Sequence, residues 1–245
     1  MALKLNIDEV RRQLPGRRIS FFESITSTMH EAIALSAAGC PSGTAVVAEE
    51  QTAGQGRHGH SWHSAAGDGV YCSLVLPQTP LLTLALGLAT HTAIFEATGL
   101  VCDLRWPNDL MLADRKVAGI LVQAVAPNAI AGIGINVNHS EFPAEVAALA
   151  TSLRLAAGRA IPREDILLAL LPAINAIVPQ EKSAILASFT HLSSYASGKR
   201  VEVQLPEGAI EGTTVGLNPD GFLIVRRRDG TDTLIVAGGV RAARS

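Results

Sequence analysis

The spacing of apolar and polar residues divides the chain into elements of two kinds. From about Asp8 to Leu14 apolar residues recur at helical spacing, and Pro15-Gly16 ends the run, which predicts a short amphipathic helix. RISFFESI then reads as a strand, and Thr28-Met-His-Glu31 has the spacing of a capping box opening a helix that stops at Gly39. Strands are predicted near 43–50 and 70–76, followed by a helix from about Leu82 to Thr98 closed by Gly99, and a strand in VCDLRW. WPNDLMLADRKVAGILVQAV and AIAGIGINVN predict further strands, with a tight turn at Asp114-Arg115. IPREDILLALLPAINAIV and KSAILASF read as helices, the first kinked or split by Pro172. From Lys199 onward short runs alternate with turns at NPDG and RDGT, the pattern of a small antiparallel barrel.

Helices and strands do not alternate regularly, so a doubly wound parallel sheet is excluded. The expected fold is α/β in the α+β sense, with helices on a mixed or antiparallel sheet over residues 1–192. A small β-barrel domain over 193–245 follows it. Hydrophobic content of 48% and charged content of 17% fit a well-packed globule and exclude a disordered chain. A net charge of −2 argues against a general affinity for nucleic acid, which needs a broad basic face, and leaves room for local basic clusters. Cys40, Cys72 and Cys102 lie far apart in apolar surroundings, as buried thiols in a reducing cytoplasm do. Charges in MALKLNIDEVRRQL argue against a signal peptide, and His91 and Glu96 interrupt the longest apolar stretch, so no membrane partner is expected.

One stretch invites a misreading. GQGRHG satisfies the dinucleotide-binding pattern G-x-G-x-x-G, but no helix follows it, and no acid lies between Asp68 and Glu96 to hold a ribose. Gly54, Gly56 and Gly59 around Arg57 suit a loop that clasps an anion, because glycine exposes backbone N–H groups and arginine adds a planar charged fork. A mobile surface turn and a metal site built from His58, His60 and His63 are the other readings. In RWPNDLMLADRKVAGI, Asn108 and Asp109 fall just past a strand end. Lys116 opens an apolar strand, where it either snorkels to solvent or faces a cleft. In AIAGIGINVN, period-2 alternation puts Gly132, Gly134 and Asn136 on one face, either a smooth floor for a flat ligand or a close packing surface for a helix. Ile130, Ala131, Ile133, Ile135 and Val137 are expected to supply the apolar packing.

Taken together, Ser27-Thr28, QTAGQGRHGHSW, RWPNDLMLADRKVAGIL, GIGIN and the C-terminal GGVRAAR resemble the biotin–protein ligases. The motifs run in order over most of the chain, and WPNDL followed by DRKVAGIL is highly specific. The resemblance implies a catalytic domain akin to class II aminoacyl-tRNA synthetases, with an SH3-like barrel after it. It implies formation of biotinyl-5′-AMP from biotin and MgATP, then transfer of biotin to one lysine of a carboxylase's biotin carrier domain, acetyl-CoA carboxylase being the implied case. Carried over by position, Ser27, Thr28 and Gln51 would contact the biotin rings. Gly54, Gln55, Gly56, Arg57 and Trp62 would border biotin from the loop. Arg57, His58, His60 and Trp62 would close over the nucleotide. Asn108, Asp109 and Lys116 would serve ATP, metal and the reacting carboxyl, and Lys116, Arg57 and Asp109 form the catalytic set. Gly119, Gly134, Ile135 and Asn136 would line the ligand floor, and Arg244 would reach the nucleotide. Mg²⁺ would arrive with ATP, with no dedicated protein metal site.

The chain departs from the family pattern at Gln55, His58 and His60, which occupy arginine positions, at Met29, which replaces an Asn, and at Val240, where an acid can occur. Too few residues precede the first core strand for the helix-turn-helix that some relatives carry, so no DNA binding is expected. A monomer or homodimer is expected. The chemistry agrees with the residues. Acyl adenylation needs cations to bring a carboxylate onto an α-phosphate and has little need of a protein nucleophile, and none is apparent. A lipoate or octanoate ligase, which would need a long apolar tunnel, and a non-catalytic biotin or nucleotide sensor are the rival readings.

Overall fold

In the computed structural model, residues 4–205 and 208–243 are described. The elements in chain order are α1 (Ile7–Gln13), β1 (Ile19–Phe22), α2 (Thr28–Ala37), β2 (Ala45–Ala48), β3 (Gly69–Pro77) and α3 (Leu82–Thr98). Next come β4 (Asp103–Arg105), β5 (Asp109–Leu112), β6 (Arg115–Val125) and β7 (Asn128–Asn136), then α4 (Leu153–Ala157), α5 (Arg163–Ile177) and α6 (Lys182–Leu192). The chain closes with β8 (Ser197–Leu205), β9 (Gly208–Leu217), β10 (Leu223–Arg226), β11 (Asp232–Ile235) and β12 (Gly239–Ala242).

The first seven strands form one sheet in the order β1-β2-β3-β7-β6-β5-β4. Only β1 and β2 run parallel; the other neighbours pair antiparallel, so the sheet is mixed, as the chain pattern predicted. Its two faces are covered unequally. On one face the main core joins Cys72, Leu74, Ile133 and Ile135 of the strands to α3 and α5, and α3 is buried almost all round. On the other face the ten-residue α2 covers only part of the sheet, where Met29 and Ala32 meet Val46, Val75 and Ile130. Ile130 therefore packs on the face opposite Ile133 and Ile135, which corrects its grouping with them: in a strand, even and odd positions point apart. The stretch of this face that α2 leaves bare carries Gly119 and Gly134, and there the site forms.

Three local details differ from the expectations. Ser27, not Thr28, caps α2, accepting from Met29 N through its hydroxyl. The β5–β6 turn is Ala113-Asp114, one residue earlier than expected, with φ of 46° and 58°. Pro172 sits inside an unbroken α5, and α4 was not anticipated.

The C-terminal strands form a separate antiparallel sheet, β11-β10-β9-β8-β12, with bulges in β8–β9 and β9–β10 that help it coil. Its apolar residues Val201, Val203, Leu223 and Val240 join the main core cluster. Trp106 Nε1 donates to Gly221 O at 2.8 Å, tying the WPND turn to this sheet. The expected domain boundary at 192/193 falls in the segment between α6 and β8. Among the described residues no helix is long and apolar enough to cross a membrane.

Candidate active site

Two connected cavities occupy the bare face of the sheet. A narrow inner chamber of about 40 Å³ is bounded by Ser27, Thr28, Met29, Gln51, Ser73 and the glycines of β6 and β7. It adjoins an outer cleft of about 1000 Å³, bounded by residues 51–64, the 105–109 turn, residues 142–150 and β12. Arg57, Trp62, Asn108 and Lys116 line both, so they stand at the junction.

The inner chamber is polar and internally satisfied. Gln51 Oε1 accepts from Thr28 N at 2.9 Å and from Thr28 Oγ1 at 3.0 Å, while Gln51 Nε2 donates to Ser64 Oγ at 2.9 Å. Thr28 Oγ1 also shares a 2.8 Å hydrogen bond with Ser73 Oγ, which is fully buried. Ser64 and Ser73 are members of this network that sequence reading missed. Ser73's only signal was a lone hydroxyl in the apolar strand VYCSLVL.

The glycine-rich stretch is a small hairpin. Trp62 N donates to Gly54 O at 2.9 Å, Gly56 N to His60 O at 2.7 Å, and His60 N to Arg57 O at 3.1 Å. Its tip, Arg57–Gly59, is a single 3₁₀ turn with His58 and Gly59 left-handed at φ 56° and 75°. A Cβ on Gly54 would come within 2.5 Å of Trp62 O, so this glycine is required by close backbone approach. Of the loop amides, those of Gly56, His60 and Trp62 are used within the hairpin. Arg57 Nη1 donates to Asn108 Oδ1 at 2.8 Å, and Asn108 Nδ2 donates to Ile120 O at 2.9 Å, which fixes both side chains. Burial lowers the Arg57 pKa and Asp109 opposes that shift. Gln55 Nε2 lies 2.8 Å from His30 Nε2 on α2. His58 and His60 are exposed on the cleft wall, and His63 meets the His139 ring at 5.8 Å. Among the described residues no group of three His, Cys, Asp or Glu is placed to hold a metal ion.

The β4–β5–β6 edge supplies the charges. Asp109 Oδ2 accepts from Arg105 Nη2 at 2.6 Å, and Lys116 Nζ lies 2.5 Å from Asp109 Oδ1. Burial pushes the Asp109 pKa up, but Lys116 and Arg105 outweigh it and hold the carboxyl below its ordinary value. Lys116 faces the cleft, over the Trp62 ring at 5.2 Å from the centroid, which decides between its two readings. A Cβ on Gly134 would meet Trp62 Nε1 at 2.5 Å, and one on Gly119 would meet Lys116 Nζ at 2.9 Å. The bare backbone of both residues thus makes room for the two groups at the junction. Trp62 Nε1 is itself buried without a hydrogen-bond partner, a donor left for something else in the site. Gly132 faces Met29, so at that position the helix-packing reading holds.

One expected contact is revised. Ile135 is buried in the main core with its side chain turned from both cavities, because odd positions of β7 face α3 and α5. Asn136 lines the outer cleft, and its nearly buried amide, donating to Thr151 O at 3.1 Å and Lys116 O at 3.4 Å, also braces the lysine strand. Arg244 lies outside the described residues. Sequence reading missed Arg105 and the 142–150 wall, where Val146 and Leu149 are exposed.

A polar, hydrogen-bonded chamber joined to a cationic cleft, with a lysine at the junction, defines a protein that brings one anionic substrate onto another. Comparison with known proteins specifies which. Residues 21–140 match the biotin/lipoate A/B protein ligase family and residues 196–240 the biotin protein ligase C-terminal domain. The chain is 32% identical to the biotin–[acetyl-CoA-carboxylase] ligase of Mycobacterium tuberculosis, over 97% of this chain and 96% of that one. It is 33% identical to the bifunctional ligase/repressor BirA of Bacillus subtilis, over 93% of this chain and 76% of that one. The structure of the Aquifex aeolicus biotin protein ligase in complex with biotin and ATP superposes with a TM-score of 0.81 at 32% identity, covering 93% of this chain and 99% of that one. The chain belongs to the biotin protein ligase family.

Proposed function

We propose that this protein activates biotin with ATP and transfers it to a lysine of a carboxylase's biotin carrier domain, in the cytoplasm and without a nucleic-acid partner. The observation that carries this reading is Lys116, held by Asp109 and the Trp62 face at the junction of chamber and cleft. Biotin's ureido ring has donors and acceptors that suit the Ser27, Thr28 and Gln51 end of the chamber, and an apolar lipoyl tail finds no long tunnel there. Its carboxylate would then point to Lys116. ATP fits the outer cleft, with Arg57, Asn108 and Lys116 toward the phosphates.

In the first step a biotin carboxylate oxygen bonds to the α-phosphorus, the bond from that phosphorus to the bridging oxygen breaks, and pyrophosphate leaves with its electron pair. Lys116 and Arg57 offset the repulsion between the two anions, each such charge-assisted contact being worth about 1.5–3 kcal/mol. In the second, the neutral carrier amine attacks the acyl carbon, AMP leaves, and the amine loses a proton as the amide forms. Magnesium needs only one or two carboxylates when nucleotide phosphates supply other ligands, and Asp109 is the carboxylate that would hold it here. When bound, it neutralises phosphate charge.

Biotin-dependent ATP–pyrophosphate exchange, with lipoate as the control acid, tests the reading. Exchange with biotin alone is expected; exchange with lipoate alone, or with neither, would overturn it.

A further inference from the structure

Arg105 sits on β4 directly opposite Asp109 on β5, and both are largely buried at the cleft wall. The two cations on Asp109 are held differently. Arg105 Nη2 makes an aligned hydrogen bond to Oδ2 at 2.6 Å. Lys116 Nζ reaches the other oxygen, Oδ1, at 2.5 Å from its place on β6. Arg105 has further neighbours that keep it in place. The ring of Tyr195, 2% exposed, packs in the same wall, and Lys199 lies over that ring at 5.0 Å. Arg105 is thus anchored from the segment leading into the C-terminal sheet, whereas Lys116 reaches across the junction on a flexible stem.

We propose that Arg105 is a positioning residue for adenylation, the permanent counter-charge that lets Lys116 leave Asp109 for the reacting anions. This inference rests on the biotin-activating reading above. A buried carboxylate that loses its partner is strongly disfavoured. If Lys116 were the sole side-chain cation on Asp109, moving its ammonium toward a carboxylate and an α-phosphate would leave that charge with no partner but an arriving magnesium ion. With Arg105 fixed on Oδ2, Asp109 stays compensated throughout, and the lysine is shared between the resting pair and the bound substrates. Arg105 acts through Asp109 and touches neither biotin nor the reacting phosphorus, so its loss should slow the chemical step and leave biotin binding alone.

The test is biotin-dependent pyrophosphate exchange by Arg105→Gln, Arg105→Lys, Asp109→Asn and the Arg105→Gln/Asp109→Asn pair, each checked for folding by thermal melting. Arg105→Gln should lower kcat by about tenfold or more with the KM for biotin within about twofold of wild type. Arg105→Lys, which restores the charge, should recover most of the loss. In the Asp109→Asn background, with no buried carboxylate to compensate, adding Arg105→Gln should cost nothing further. Should Arg105→Gln fail to fold, the lysine variant and the pair, which leave no uncompensated carboxylate, still decide the matter. An additive loss in the pair, a change confined to the KM for biotin, or a lysine variant no better than glutamine would overturn the role. If wild type showed no biotin-dependent exchange, the reaction itself would be wrong, a result separable from all of these.

Discussion

The two halves of the site are built in contrasting ways. Asn108, Asp109 and Lys116 stand on or beside strands that are paired on both sides, and their polar atoms are tied to neighbouring backbone or charges. Arg57, His58 and His60 ride on a hairpin held by a few backbone bonds, one guanidinium bond to Asn108 and one contact to α2. The strand half is preorganised and its geometry does not await a ligand; the hairpin half must be kept in place by contacts that opening would break. On the proposed reading Lys116 acts from the first half, and Arg57, followed by the two histidines, acts from the second.

The sharpest way to break this division is at Lys116. Lys116→Ala should reduce biotin-dependent exchange by about a hundredfold or more, about 3 kcal/mol of barrier, with a melting temperature close to wild type. More than a tenth of the activity remaining would mean that the strand half does not hold the reactive cation. Gly134→Ala probes the floor beneath both halves. Its methyl would stand 2.4 Å from the Trp62 ring, and overpacking of this kind costs about 1–3 kcal/mol. The expected result is a rise of about tenfold in the KM for biotin. An unchanged KM would show that Trp62 swings away freely and does not define the junction.

A smaller effect is expected where the halves touch. His139 follows β7, is buried, stacks on Phe142 at 5.0 Å and meets His63 at the end of the hairpin. Burial lowers its pKa to about 4; Asp68 opposes that shift and His63 adds to it. A histidine kept neutral in the fold takes up protons first in the unfolded chain. Its contribution is therefore fully present above the unfolded pKa, about 6.5, and declines as pH falls toward about 4. His139→Phe keeps the stacking and removes the titration, so the loss of stability between pH 7 and pH 4.5 should shrink by about 1–2 kcal/mol. Urea midpoints at the two pH values measure it; equal losses in both proteins would show that His139 plays no part.

The same contrast governs what the sequence discloses. Strand-borne residues are legible because their context is local: WPND marks a turn, Lys116 opens an apolar strand, and Gly99 ends α3 in the left-handed conformation that glycine favours, at φ 76°. The β5–β6 turn is displaced by one residue because alanine at φ 46° defies local preference, and strand pairing overrides it. Long-range partners were not legible. Ser73 reaches Thr28 across 45 residues, and Arg105 matters through a register that only pairing reveals. For the hairpin, the letters G-x-G-x-x-G gave the glycines but not their use: Gly54 is required by the close approach of Trp62 O, which only the fold reveals.

The smallest predicted effect lies at the contact between hairpin and helix. Gln55 and His30 are both exposed, and a hydrogen bond in that setting contributes about 0.5–1.5 kcal/mol at most. If the contact helps to keep the hairpin against α2, Gln55→Ala should hasten release of biotinyl-AMP by up to about fivefold, with little change in the exchange rate. His30→Ala should act alike, and the pair should be no faster than either alone, because one contact can be lost only once. Stopped-flow dissociation of biotinyl-AMP gives all three rates. Additive acceleration would mean that the two side chains act separately. Unchanged release in both single variants would leave the hairpin held by Arg57, Asn108 and its own backbone bonds, and the two halves of the site would then be equally preorganised.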